Sequence, residues 1–146
     1  KIVRDRGRSI TLVGKDIAKF ASSGGHLAEE KKALLKALED VQAMIGHMVG
    51  VAMASQEDPK EIYKVGLNTS RLLMATGDLI IAWLLLRQAD IAQNKLANAG
   101  RDTEFYNGKI ASAKFFVRSV LPHISIERAV VESETGEIMN IAEAAF

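Results

Sequence analysis

The side chains able to do chemistry in this 146-residue sequence are few and widely spaced. A metal site in a helical bundle uses Glu-x-x-His pairs on facing helices. None of the three histidines (His26, His47 and His123) has an acid three residues before it, and no two stand at i+3 or i+4. They are expected to be structural or surface residues, and no metal site is expected. There is no cysteine, which removes disulfides, thiolate ligands and thiol nucleophiles together. No Gly-x-Ser-x-Gly elbow, P-loop or Gly-x-Gly-x-x-Gly fingerprint occurs.

Asp78 is the most conspicuous single group. It lies among Leu73, Leu79, Ile80 and Ile81, and a carboxylate is costly to bury without a partner. One role would be a catalytic acid or base. The expected one is a structural ion pair with Lys109 or Lys114, because buried charges are usually paired. Gly46 and Gly50 form a small-xxx-small spacing. It suits either a dimer face or close packing on a neighbouring helix of the same bundle, since missing side chains let backbones approach. Packing within the bundle is the expectation.

The elements carrying these residues read as helices. Ile10, Val13, Ile17 and Phe20 recur on one helical face. Ser22-Ser23-Gly24-Gly25 breaks that run, and a second stripe goes from Leu27 through Leu34, Leu35, Leu38, Val41, Ile45 and Met48 to Ala52. Glu29-Glu30 near its start suits the helix dipole. Asp58-Pro59-Lys60-Glu61 reads as a capping box opening a third helix. Unbroken from Pro59 to Ala97, it would be about 58 Å long, ending at Asn98-Ala99-Gly100 with Gly100 as a left-handed cap. Asp102 is the next capping candidate. Phe105, Ile110, Ala113, Phe116 and Val120 line one face before Leu121-Pro122. The tail holds weaker segments, Ile126 to Val131 and Ile138 to Ala145. The fold class is therefore all-α, an up-down bundle of about four main helices with a short helical C-terminal tail.

Composition narrows the function classes. The net charge is +1, with 48% hydrophobic and 25% charged residues, an ordinary globular balance that makes nucleic acid an unexpected partner. The charge is unevenly placed. Residues 1–20 hold six basic and two acidic residues, while residues 127–146 hold Arg128 against five glutamates. Most such runs are solvated surface. The most apolar window, Leu72 to Leu86, contains Asp78 and is bracketed by Arg71 and Arg87. It is shorter than the about 20 residues of a bilayer span, so a helix buried in protein is expected rather than membrane insertion. The absence of cysteine suits a reducing, cytoplasmic setting, and a first residue other than Met suggests a piece of a longer polypeptide.

Several motifs together resemble the C-terminal helical region of long-form acyl-CoA dehydrogenases. They are Lys1-Ile2-Val3-Arg4-Asp5-Arg6-Gly7, Leu38-Glu39-Asp40 with Asp58-Pro59, Arg71 to Ala92 with Arg87-Gln88-Ala89, and Phe105-Tyr106-Asn107-Gly108-Lys109 through Lys114-Phe115-Phe116 to Leu121-Pro122. The resemblance covers roughly residues 1 to 130. It implies that residues 1–21 are the last helix of the catalytic core and 27–146 a helical-bundle extension. It implies a homodimeric flavoprotein that binds FAD and removes two hydrogens across the α,β carbons of an acyl-CoA thioester. In that family a glutamate takes the α-proton while the flavin accepts a hydride, and the hydrogen-bonded thioester carbonyl stabilises the developing enolate. The glutamate commonly lies in a Glu-Gly-Thr motif upstream of a segment like Lys1 to Gly7. No catalytic or flavin-binding residue is therefore carried onto this chain, and the extension's expected role is apolar burial and dimer support. Two other readings compete. One is a stand-alone helical interaction module. The other is peripheral membrane attachment through the tail, against which the short, acidic Ile138 to Phe146 argues.

Overall fold

The computed structural model describes residues 7–145. Lys1 to Arg6 and Phe146 lie outside the described residues, and with them part of the basic start and most of the opening motif. The described residues form α1 (Arg8–Ala21), α2 (Ala28–Ala54), α3 (Ile62–Lys95), α4 (Thr103–Ser119) and α5 (Leu121–Ser133), with short 3-10 turns between and after them. No strand occurs among them, and the all-α bundle reading holds.

Helix α3 is the central post, about 51 Å long for its 34 residues. It packs against α2, α4 and α5, while α1 lies mainly on α2. Leu79, Leu86, Ala75, Ala82 and Ala89 of α3 are buried. Leucines at 72, 79 and 86 alternate with alanines at 75, 82 and 89, so large side chains fill the core where the alanines let neighbouring backbones close in. Ile17, Leu34, Met44, Ile124 and Val131 are fully enclosed. They come from α1, α2 and α5, which ties the ends of the chain into one core.

Start and stop signals are met unevenly. Asp58 accepts a hydrogen bond from the Lys60 backbone N–H at 3.0 Å, with Pro59 in the first turn. The capping box is only half made, because Glu61 pairs with Lys64 at 2.7 Å. Asp102 makes no side-chain cap; Thr103 Oγ1 donates instead to the Gly100 carbonyl at 2.8 Å. Gly100 is left-handed as expected, with φ 52°.

The main difference lies in the tail. Leu121-Pro122 ends α4 and also starts α5, where proline fits the first turn because its missing N–H has no helical acceptor there. The segment that reads weakly in sequence is a 13-residue helix burying Leu121, Ile124 and Val131.

A second difference concerns α3. By length and composition, the helical stretch Pro59–Asn98 could cross a membrane, and only 22% of its most apolar window is buried among the described residues. The expectation of a helix buried in protein holds for the inner face alone. Leu73, Met74, Ile81, Leu84 and Ile91 are exposed.

Candidate functional site

The expected Asp78–Lys109 pair does not form. Lys109 Nζ donates to Gln88 Oε1 at 3.1 Å and sits 5.4 Å from the Phe105 ring centre. Gln88 lies about 15 Å further along α3 from Asp78 at 1.5 Å per residue, beyond a lysine's reach from there. Lys114 makes no ion pair with Asp78 either. Asp78 is half-buried, in a recess of about 310 Å³ lined by Ser70, Arg71, Met74, His123, Ile124 and Glu127. Partial exposure leaves its carboxylate hydrated, which removes the physical demand for a partner. Arg71 and Glu127 pair with each other at 2.7 Å across the same recess.

Among the described residues, the charged groups that are deeply buried lie on α2 instead. Asp40 is 1% exposed and binds three cationic or hydroxyl donors. Lys36, one turn earlier, pairs with its Oδ1. Ser125 Oγ donates to Oδ2 at 2.6 Å, and Arg128 reaches Oδ1 at 3.1 Å while holding Glu132 at 2.8 Å. Burial by itself raises the Asp40 pKa, but the hydrogen bonds from Lys36, Ser125 and Arg128 together outweigh it and hold the carboxyl below its ordinary range. Glu132 and Asp40 raise Arg128 in turn. The cluster pins α5 to α2.

Lys31 is the second node, 3% exposed. Its ammonium reaches Ser23 Oγ at 3.1 Å, the Gly24 carbonyl at 3.1 Å and Asp90 of α3 at 3.3 Å, and it lies 5.0 Å from the Phe20 ring centre. One side chain thus ties the α1–α2 turn to α3. Glu30, also buried, pairs with Arg118 of α4 at 3.5 Å. The burial and partners of Glu30, Lys31 and Asp40 escaped the sequence reading, although a signal was present. Positions 30, 31 and 40 fall on the stripe that carries Leu27, Leu34, Leu38 and Val41.

Nothing in these nodes is arranged for turnover, since their donors and acceptors are used in holding helices together. His26 and His123 are exposed and His47 half-buried. Among the described residues, no group of three His, Asp or Glu side chains is placed to hold a metal. For a flavin, the relevant feature is a recess of about 380 Å³ lined by Asp16, Lys19, Phe20, Ser23, Trp83 and Arg87. Each of its two rings already carries a protein cation, Lys31 on Phe20 and Arg87 at 5.2 Å from Trp83. The Trp83 Nε1 donor is buried without a partner instead of being presented to the recess. These residues do not fit a flavin ring, and no flavin chemistry is derived from them.

Gly46 and Gly50 also depart from expectation. Both are exposed, and a Cβ added at either would meet nothing within 4 Å. They are therefore not packed against a neighbouring helix of this bundle.

Residues 13–142 match the family described as acetyl-CoA dehydrogenase C-terminal like. The whole chain aligns at 45% identity with 25% of the broad-specificity linear acyl-CoA dehydrogenase FadE5 of Mycobacterium tuberculosis. A 3-methylmercaptopropionyl-CoA dehydrogenase of Ruegeria pomeroyi is 32% identical, over 94% of this chain and 23% of its own length. A butyryl-CoA dehydrogenase of Syntrophomonas wolfei is 30% identical, over 90% of this chain and 23% of its own. The chain spans about a quarter of the length of these relatives. With the match running from α1 past α5 in an all-helical bundle, the chain belongs to the acetyl-CoA dehydrogenase C-terminal-like family, the helical C-terminal part of acyl-CoA dehydrogenases.

Proposed function

We propose that this chain serves as the structural C-terminal part of an FAD-dependent acyl-CoA dehydrogenase, which removes two hydrogens across the α,β carbons of an acyl-CoA thioester. The observation that carries this reading is the pairing of a full-length match to one quarter of such enzymes with a bundle whose buried charges are all spent between helices. In this reading residues 1–21 close the catalytic core and residues 27–146 are the extension. The catalytic base and the FAD site lie in parts of the polypeptide outside residues 1–146, in a cytoplasmic homodimer. The bundle contributes apolar burial, at about 25 cal/mol per Å².

The exposed outer face of α3 also suits the second reading, a free-standing interaction module without cofactor. Purifying the longest natural polypeptide containing this chain separates the two. It is expected to carry yellow flavin that bleaches when an acyl-CoA is added. A colourless protein that FAD does not reconstitute would overturn the enzyme reading in favour of the module.

A further inference from the structure

We propose that Lys31 is a positioning residue, a clamp that sets the α1–α2 joint against α3 and through α1 governs turnover in the catalytic core. This role rests on the reading above, in which α1 closes that core and the bundle extends it. Lys31 stands at a core position of α2, with Leu27 one turn before it and Leu34 and Leu38 after it on the same face. An apolar side chain of similar size would serve stability there as well or better, because a buried ammonium is costly to desolvate. What the ammonium adds is direction. It has three hydrogens to place, and it is satisfied only while its acceptors stand where they do.

Those acceptors belong to the joint and to α3. Ser23 Oγ and the Gly24 carbonyl each lie 3.1 Å from Nζ and the Ser23 carbonyl 3.4 Å, all in the turn after α1, while Asp90 of α3 lies at 3.3 Å. Ser23 Oγ in turn donates to the Phe20 carbonyl in the last turn of α1, at 2.6 Å. Hydrogen bonds therefore run without a gap from α1 through the turn to Lys31 and on to α3. The joint is also strained. Leu27 is left-handed, with φ 64°, a costly conformation for a bulky side chain that persists only where its surroundings hold it. Its carbonyl accepts from the Lys31 backbone N–H at 2.8 Å. Lys31 thus holds Leu27 with its backbone and the turn with its side chain.

Helix α1 cannot adjust independently of this joint. Ile17 is fully enclosed, and Val13, Phe20 and Ala21 pack into the same core. A Cβ added at Gly14 would touch Gln42 and Leu38 of α2, at 3.5 and 3.7 Å, so the two helices lie close together. Close-packed interiors transmit a displacement instead of absorbing it, and a moved joint moves α1 as a body. In the reading above α1 closes the core, so a displaced α1 shifts the groups packed on it. A misplacement of about 1 Å at reacting groups costs up to about 100-fold in rate.

The test uses the longest natural polypeptide that contains this chain. Lys31→Met removes the ammonium and keeps a side chain of similar shape, and Asp90, 28% exposed, stays hydrated without its partner. Hydrogen exchange over residues 20–27, read by mass spectrometry, is expected to quicken about tenfold with the helical circular-dichroism signal retained. The kcat on an acyl-CoA is expected to fall about tenfold with KM within about twofold, the mark of misplaced reacting groups rather than lost substrate binding. Asp90→Asn, the milder variant, is expected to move both readouts the same way, and the double variant to go no further than Lys31→Met alone. Should Lys31→Met lose its helical signal, Asp90→Asn carries the same test. Asp40→Ala loosens α5 from α2 without touching the joint, and is expected to leave both readouts within about twofold. Unchanged exchange in Lys31→Met, quickened exchange with wild-type kcat, or an equal fall of kcat in Asp40→Ala would overturn the clamp. An active dehydrogenase in which Lys31→Met changes neither readout overturns the clamp and leaves the enzyme reading standing. A wild-type polypeptide that dehydrogenates no acyl-CoA overturns the enzyme reading, and quickened exchange in its Lys31→Met form still supports the clamp at the joint.

Discussion

Helices α2 and α3 invert the usual relation between composition and burial. Among the described residues, helix α2 carries the buried charges, Glu30, Lys31 and Asp40, on a face otherwise made of leucine, alanine, valine and methionine. Helix α3 contains the most apolar stretch of the sequence and leaves a row of leucines and isoleucines in solvent. Hydrophobicity states what a residue gains by leaving water, and topology decides which neighbour is available to receive it. Helix α2 is covered by α1, α3 and α5, so its inward charges had to find partners. Among the described residues, nothing covers Leu73, Ile81, Leu84 and Ile91 on the outer side of α3.

The largest expected effect sharpens this contrast within α3 itself. Leu86 is fully enclosed, while Leu84, two residues away, is 43% exposed. Leu86→Ala is expected to destabilise the bundle by about 2–5 kcal/mol through lost contacts and a cavity. Leu84→Ala is expected to stay within about 0.5 kcal/mol in the isolated chain. Urea denaturation of both variants checks the pair, and comparable losses would mean that α3 is buried on both faces.

A smaller effect sets the two aspartates against each other. Asp40→Ala is expected to cost about 2 kcal/mol, because it strips hydrogen bonds to a buried carboxylate. That figure sits below the value for a fully enclosed pair, since Lys36 and Arg128 remain in contact with water. Asp78→Ala is expected to change stability by less than about 0.5 kcal/mol. The Asp40 contribution also depends on pH. A carboxyl with a depressed folded pKa stabilises fully above its unfolded value of about 3.9 and loses that contribution as pH falls through the folded pKa. Thermal melts between pH 6 and pH 2 should therefore show wild type losing stability at the acid end more steeply than Asp40→Ala. Parallel curves would contradict the role given to this group.

Most of the fold was legible in the sequence because periodicity reports which face of a helix turns inward. The α1–α2 break at Ser22 to Gly25, the start at Asp58-Pro59 and the end near Gly100 all follow from local chemistry. Helix α5 was harder to see, since Leu121-Pro122 is both the end of one helix and the first turn of the next. Side-chain partners were less legible still. Asp78 drew attention through its apolar neighbours in sequence, but neighbours in sequence surround a helix on all sides, and this carboxylate falls on a half-exposed one. Asp40 stands between Glu39 and Val41 with no local sign of burial, and its partners Ser125 and Arg128 come from a helix 85 and 88 residues away. Such pairings depend on how helices are placed, which periodicity does not encode. The resemblance to acyl-CoA dehydrogenases comes from Lys1 to Gly7, from Leu38-Glu39-Asp40 with Asp58-Pro59, and from stretches of α3 and α4, and it identifies the family without a catalytic motif.

In the proposed function, this bundle supports a flavoenzyme whose reaction centre lies outside residues 1–146. Adding FAD and acyl-CoA thioesters of several chain lengths to the folded 146-residue chain tests it most directly. No flavin is expected to stay with the protein after gel filtration, and no dehydrogenation is expected with any thioester. Retained flavin, or turnover of even one acyl-CoA by the isolated chain, would contradict it.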